Sequence, residues 1–117
     1  MQNKRTGNIG EALAVKYLKE QGYKDIQTNV KNKLGEIDII AKLEDIIVFV
    51  EVKTRTSYKV EQPKQAVNIT KQNKIRLVAT AYLKYKGLLD SVSVRFDVIE
   101  ILGNNQDYTV NHIQNAF

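Results

Sequence analysis

The chain has 117 residues, 43% of them hydrophobic and 26% charged, which suffices for one buried core and not for two sizeable domains. It carries no cysteine and 1 histidine, which excludes disulfide scaffolds, thiolate metal sites, cysteine nucleophiles and any site built on two histidines of one chain. The 18 basic residues outnumber the 13 acidic ones, and the net charge of +5 suits a polyanionic partner, because Lys and Arg displace counterions from phosphates.

No apolar run approaches the ~20 residues that a membrane-crossing helix needs. The longest covers residues 46–50 and stops at Glu51. Residues 1–7 are basic, but no apolar stretch of the secretory kind follows them. The expectation is a single domain over residues 1–117, cytoplasmic and without a membrane partner.

Ile9, Leu13, Ala14, Tyr17 and Leu18 recur at helical spacing and predict a helix over residues 8–21, with Gly22 just past its end. Ile26, Thr28 and Val30 alternate over residues 24–31, a weak strand signal. Residues 35–43 and 46–55 are rich in Ile and Val and predict two stronger strands. The second is apolar on both faces over residues 47–50, as a central strand is. Residues 56–62 read as a loop, and Pro63 can open a short helical turn. A second helix is expected over residues 70–86, capped by Thr70, ended by Gly87 and striped with Ile75, Val78, Ala79, Tyr82 and Leu83. Val92, Val94, Phe96 and Val98 alternate with Ser93, Arg95 and Asp97, which predicts a strand over residues 92–101 with one buried face. A turn at residues 103–105 leads to a short last strand near residues 107–113. Consecutive strands imply antiparallel pairs, and the strand–helix–strand portion implies a parallel crossover. The expected class is α/β: a mixed β-sheet flanked by helices, in the order αβββαβ plus a short C-terminal strand.

Charged residues in apolar settings carry the functional signal. A two-residue turn at Glu44-Asp45 would pair Leu43 with Ile46, setting Asp38 opposite Glu51 and Glu36 opposite Lys53. Glu51 and Lys53 share a face because side chains alternate along a strand. Adjacent carboxylates repel unless a proton or a cation lies between them, and a hard divalent cation takes one or two carboxylates together with water and substrate phosphate. A charged ladder at a strand end is the ordinary alternative, but Glu51 stands between Val50 and Val52. Glu11 projects between Ala14 and Val15, on the apolar arc of the first helix, where a metal or cationic partner would offset the cost of burial. Its ordinary role would be that of an acid near a helix N-terminus. Lys71 lines up with Ile75, Val78 and Tyr82, although its long stem can carry the charge back to solvent. Arg95 and Asp97 share the polar face of their strand and can pair, and His112 reads as structural. Lys4, Arg5, Arg55 and Lys59 could contact phosphates or serve as ordinary surface charge.

Together these residues resemble the PD-(D/E)XK nuclease superfamily. Its pattern is an acid on a first helix, an acid on one strand and a (D/E)-X-K motif on the next. Here it reads Glu11, then Gly35-Glu36-Ile37-Asp38, then Glu51-Val52-Lys53. More narrowly, the chain is similar almost end to end to the YraN family of small bacterial proteins, described as candidate endonucleases. The match includes Gly10-Glu11, Asn29, the G-E-I-D and V-F-V-E-V-K-T-R segments, Pro63, Lys71, Arg95-Phe96-Asp97-Val98 and His112-Ile113. The family is similar in fold to archaeal Holliday-junction resolvases. One departure is that the strand acid of the superfamily often follows a proline, whereas Ile37 precedes Asp38 here.

The resemblance implies a restriction-endonuclease-like core and a metal-dependent endodeoxyribonuclease, a hydrolase of DNA phosphodiester bonds guided by DNA structure rather than base sequence. It implies that Asp38, Glu51 and the Val52 carbonyl hold Mg2+ or Mn2+, as one or two ions, with Glu11 completing the shell. Lys53 would position the nucleophile or stabilise developing charge, with Glu36 and Lys71 behind it and Arg55, Lys59, Lys4 and Arg5 on phosphates. DNA is the expected partner, joined by a second copy in a homodimer if the junction-resolvase analogy extends to paired cuts, and by a protein partner in DNA processing. The competing expectation is a catalytically silent nucleic-acid-binding module, or an accessory subunit, on a nuclease fold.

Overall fold

A computed structural model describes residues 2–55, 68–103 and 106–117, with side chains from residue 9 onward. Its elements are α1 (Gln2–Glu20), β1 (Lys24–Asn32), β2 (Gly35–Leu43), β3 (Ile46–Arg55), α2 (Ile69–Tyr85), β4 (Ser93–Gly103) and β5 (Tyr108–Ile113). The strands form one sheet in chain order. Neighbours are antiparallel except β3 and β4, which run parallel because α2 returns the chain across the sheet. The fold is therefore α/β, a five-stranded mixed sheet with two helices, consistent with a nuclease-like core. The loop expected over residues 56–62, the turn at Pro63 and residues 104–105 lie outside the described residues.

Each helix covers one face of the sheet. Ala14 and Leu18 of α1 pack on Ile39, Ala41, Val48 and Val50. Ile75, Val78, Ala79 and Leu83 of α2 pack on Ile37, Ile40, Ile47 and Phe49 on the other face. β3 is buried on both sides over residues 47–50, as its composition predicts. Gly22 at φ +93° and Gly87 at φ +71° take the left-handed turn that ends each helix.

Three expectations change. α1 starts at Gln2 rather than residue 8, because its polar first turns carry no apolar period for sequence reading to detect. α2 is capped by Asn68 rather than Thr70: the Asn68 side chain accepts the Lys71 backbone N–H at 2.9 Å. β4 is not a one-faced strand. Val94 is exposed, whereas residues 97–101 are buried on both faces, since the strand lies between β3 and β5 with a helix on each side.

That burial includes a carboxylate. Asp97 is 0% exposed, yet every oxygen is satisfied. Arg95 Nε donates to Oδ1 at 2.9 Å and Nη2 to Oδ2 at 2.8 Å. His112 Nε2 lies 2.7 Å from Oδ2, and the Asn115 backbone N–H donates to Oδ1 at 3.1 Å. Tyr23 accepts from Arg95 Nη2 at 2.5 Å, and Tyr17 meets His112 Nδ1 at 3.0 Å. A proton on His112 Nε2 satisfies Asp97 and leaves Nδ1 to accept the Tyr17 hydroxyl. Burial alone would raise the Asp97 pKa, but the bonds from His112, Arg95 and Asn115 outweigh it and hold the carboxyl below its ordinary range. The network ties α1, β4 and the C-terminal segment together, the structural role expected of His112.

Gly10 sets the distance between α1 and β3. A Cβ there would overlap Thr54 Oγ1, and would lie 3.2 Å from Thr54 Cβ. The helix therefore rests backbone-to-strand at the end where Glu11 and Glu51 reside.

Gly10→Ala is expected to destabilise the protein by about 1–3 kcal/mol through overpacking, despite the better helix propensity of alanine. Thr54→Ala should restore part of that loss in the double variant, as measured by urea unfolding. Asp97→Asn is expected to cost about 3–5 kcal/mol near neutral pH, because it leaves the largely buried Arg95 guanidinium without its counter-charge. A carboxyl with a depressed folded pKa contributes stability above its unfolded pKa and loses it as pH falls through the folded value. The gap between wild type and variant should therefore narrow below about pH 4, and a gap that is constant with pH would show that Asp97 acts by packing alone.

Candidate functional site

The β2–β3 ladder runs in the predicted register from Leu43↔Ile46 to Ile39↔Val50 and stops there. Beyond that rung β2 continues to pair only with β1, and Glu36 stands opposite Lys31 rather than opposite Lys53 as the register predicted. The two strands part because the facing of β2 slips at Asp38. Ile40 and Ile37 both pack on the α2 side, whereas Ile39 and Ala41 pack on the α1 side. Strict alternation would have put Ile37 with Ile39. The expected Asp38–Glu51 juxtaposition survives, because the next step of the register meets the end of the ladder.

At this fork the Val52 backbone N–H donates to Asp38 Oδ2 at 2.9 Å. Glu51 is 6% exposed and follows Ile47 and Phe49 on the α2 face. Its Oε2 lies 2.5 Å from Lys71 Nζ and 4.0 Å from Lys53 Nζ. The Asn68 cap holds the backbone of Lys71 in the first turn of α2 and so aims its side chain at the strand. Glu11 accepts from Asn29 Nδ2 at 3.0 Å at the rim.

The charges are crowded. Burial first, then repulsion from Glu51, raises the Asp38 pKa to about 7, against a weaker opposing bond from Val52. Burial, then the negative charges of Glu36 and Glu51, raises Glu11. Burial and the neighbouring Lys71 lower Lys53. Burial would lower Lys71 too, but its hydrogen bond to Glu51 and the charges of Glu51 and Asp38 hold it above its ordinary value. Two carboxylates with a backbone strand edge beside them form a donor set that suits a hard divalent cation completed by water and phosphate. Among the described residues, no three acidic or histidine groups converge tightly enough to enclose an ion by themselves.

The other predicted residues are distributed as follows. Glu36 is exposed on β2 and close enough to Glu11 to raise it. Arg55 ends β3 with Nε 4.0 Å from Glu100 Oε2. Lys4 and Arg5 fall within α1, but their side chains lie outside the described residues, as does Lys59. Two polar residues had no assigned role in the sequence. Glu100 is 1% exposed, accepts from Asn111 Nδ2 at 2.9 Å and faces Arg55. Asn29 takes φ +53° in mid-strand, opposite Asp38 by the β1–β2 register, and anchors Glu11. An asparagine between alternating strand residues was the available signal, since Asn tolerates the left-handed region.

Fold and site thus define a small α/β protein with an acidic cluster and two lysines at a split in its sheet. The chain belongs to the uncharacterised protein family UPF0102, which matches residues 10–101 and so spans every residue of the cluster. It is 51% identical to a UPF0102 protein of Alkaliphilus oremlandii over 116 residues, covering 98% of this chain and 99% of that one. It is 48% identical to a UPF0102 protein of Clostridium botulinum (strain Hall) over 117 residues, covering 98% of this chain and 95% of the relative. No helix of the described residues is long and apolar enough to cross a membrane.

A folded Asp38 pKa of about 7, against an ordinary 3.8, means that the folded state binds this proton more tightly than the unfolded chain does. Stability without metal should therefore fall as pH rises from about 4 to above 7. Asp38→Asn removes that penalty. In EDTA at about pH 8 its Tm should exceed that of wild type by several degrees, and the two should converge near pH 4. A variant less stable than wild type at pH 8 would show that the carboxylate's bond from Val52 outweighs the repulsion.

Proposed function

We propose that the protein is a metal-dependent endonuclease that hydrolyses DNA phosphodiester bonds at the fork between β2 and β3. The observation that carries this reading is the enforced proximity of Asp38 and Glu51, a repulsive pair at the end of a ladder with two lysines in reach. Natural proteins keep such destabilising arrangements chiefly where they serve a site. The net charge of +5 adds a general attraction for nucleic acid.

Asp38, Glu51 and the Val52 carbonyl would hold Mg2+ or Mn2+, with Glu11 contributing from α1 and Glu36 behind it. A bound divalent cation supplies Lewis acidity and neutralises charge on the scissile phosphate. The residues of the chain do the rest. Lys53, partly buried, points from the same strand face as Glu51 and stands ready to orient an attacking water or to donate to a phosphate oxygen. Its lowered pKa suits a group that exchanges a proton. Lys71 balances Glu51 before substrate arrives, and Arg55 lies one strand residue past Thr54 at the same end of β3.

A second reading is favoured by one observation. The ammonium of Lys71 already occupies the cation position beside Glu51, as it would in a silent binding module or an accessory subunit. Metal affinity separates the two, since a ligand that binds only the folded state raises Tm.

The test is cleavage of a labelled set of four-way junction, flap, single-stranded and linear duplex DNA in Mg2+ or Mn2+. Glu51→Ala and Lys53→Ala should each lose at least about 100-fold in rate, the ordinary weight of a positioned proton-transfer or charge-stabilising group. Lys53→Ala should keep the metal-dependent rise in Tm, and Glu51→Ala should lose it. Equal cleavage by wild type and Glu51→Ala would end the nuclease reading.

A further inference from the structure

The β1–β2 hairpin carries an exposed apolar side chain at its tip. Asn32 pairs with Gly35, and Lys33 and Leu34 form the turn between them. Leu34 is 46% exposed at the tip. The tip is nevertheless built rigidly. The Leu34 backbone N–H donates to Asn32 Oδ1 at 2.8 Å, and Asn32 Nδ2 donates to the Val78 carbonyl of α2 at 3.3 Å. Gly35, at φ +153°, lets the hairpin lie under Val78 and Lys74, for a Cβ there would come within 3.2 Å of Val78 and 3.4 Å of Lys74. One asparagine thus clamps the turn to α2 and holds Leu34 outward.

Charge surrounds it. Lys31, Lys33 and Lys74 are exposed on the hairpin and the adjoining helix, with Glu36 opposite Lys31, while Lys71, one helical turn before Lys74, is paired with Glu51. An apolar tip set among cations complements a polyanion with apolar interior surfaces, which describes stacked bases between two phosphate backbones. The tip also belongs to the strand that carries the acidic cluster. Leu34 precedes Asp38 by four positions, at most about 13 Å along a strand at ~3.3 Å per residue. That span corresponds to about four nucleotide steps at ~3.4 Å each.

We propose that the β1–β2 hairpin tip is a wedge, with Leu34 entering DNA at a branch point or unpaired step while Lys31, Lys33 and Lys74 hold the flanking phosphates. It therefore directs the site toward branched rather than continuous duplex DNA. The inference deepens the nuclease reading and rests on it for the outcome of cleavage, but the insertion itself can be read without catalysis. A continuous duplex resists insertion because a step must first be unstacked, whereas a junction offers an opened step at little cost. The cut is expected within about four nucleotides of the branch.

The experiment places 2-aminopurine at the branch of a flap or four-way junction and follows its fluorescence as full-length protein is added in EDTA. Wild type should raise the signal several-fold, Leu34→Ala should lose most of that rise, and Leu34→Phe should keep it. In Mg2+ or Mn2+ the ratio of branched to linear cleavage should fall about tenfold in Leu34→Ala, since the wedge contributes only where a step can open. Lys33→Glu should instead weaken binding to every DNA alike, as a phosphate contact does. An unchanged Tm for Leu34→Ala will confirm that the exposed tip is not holding the fold. Equal fluorescence and equal preference in wild type and Leu34→Ala would overturn the wedge while leaving the nuclease reading intact. A Leu34-dependent signal without cleavage of any DNA would support the wedge and overturn the nuclease. No binding to any of these DNAs would overturn both.

Discussion

Two carboxylates forced together where two strands separate set the terms for the rest of the structure. Asp38 and Glu51 lie close together just past the last rung of the β2–β3 ladder. Partners are gathered around them from each layer: the Val52 N–H from the sheet, Lys71 from α2, and the Asn29–Glu11 pair from β1 and α1. Gly10 brings α1 close enough to deliver Glu11, and Asn68 fixes the start of α2 so that Lys71 reaches Glu51. A site assembled from this many elements depends on all of them packing at once, which is why the constraint is felt across the fold.

The protein holds a second buried acid that obeys the opposite logic. Asp97 is more deeply buried than Asp38, yet its pKa falls while that of Asp38 rises. The difference lies in the company each keeps. Asp97 meets a guanidinium, an imidazole and a backbone N–H, whereas Asp38 meets one N–H and two further carboxylates. Fully satisfied polar networks rigidify a fold, whereas a carboxylate whose pKa is raised by burial and like charge marks a candidate site. The contrast separates an anchor from a candidate site without reference to any relative.

Geometry also connects the site to its surroundings. The hairpin that ends in Leu34 continues directly into the strand bearing Glu36 and Asp38, and Asn32 ties that hairpin to the helix that supplies Lys71. In the proposed function, recognition and chemistry would share one unit of β1, β2 and α2. An opening in DNA at the tip and a phosphate at the fork would be set at a fixed spacing by backbone rather than by flexible side chains.

Sequence periodicity by itself determined the element order, the central place of β3, the apolar stripes of both helices and the parallel crossover, because each follows from local hydrophobic spacing. The proximity of Asp38 to Glu51 was legible too, since a two-residue turn leaves one register in which both strands bury their apolar faces, although the ladder itself ends one rung earlier. Tertiary structure alone decided the rest. The β2–β3 ladder ends at Ile39↔Val50, so Glu36 has a β1 partner, Lys31, but not the expected β3 partner Lys53, and neither that early end nor the left-handed turn of Asn29 shows in the periodicity. The two-sided burial of β4 depends on a fifth strand and two helices that its own residues do not encode. Whether Asp97 is an anchor and Asp38 a strained acid is written only in their neighbours, for the same side chain takes either role according to which charges packing brings beside it.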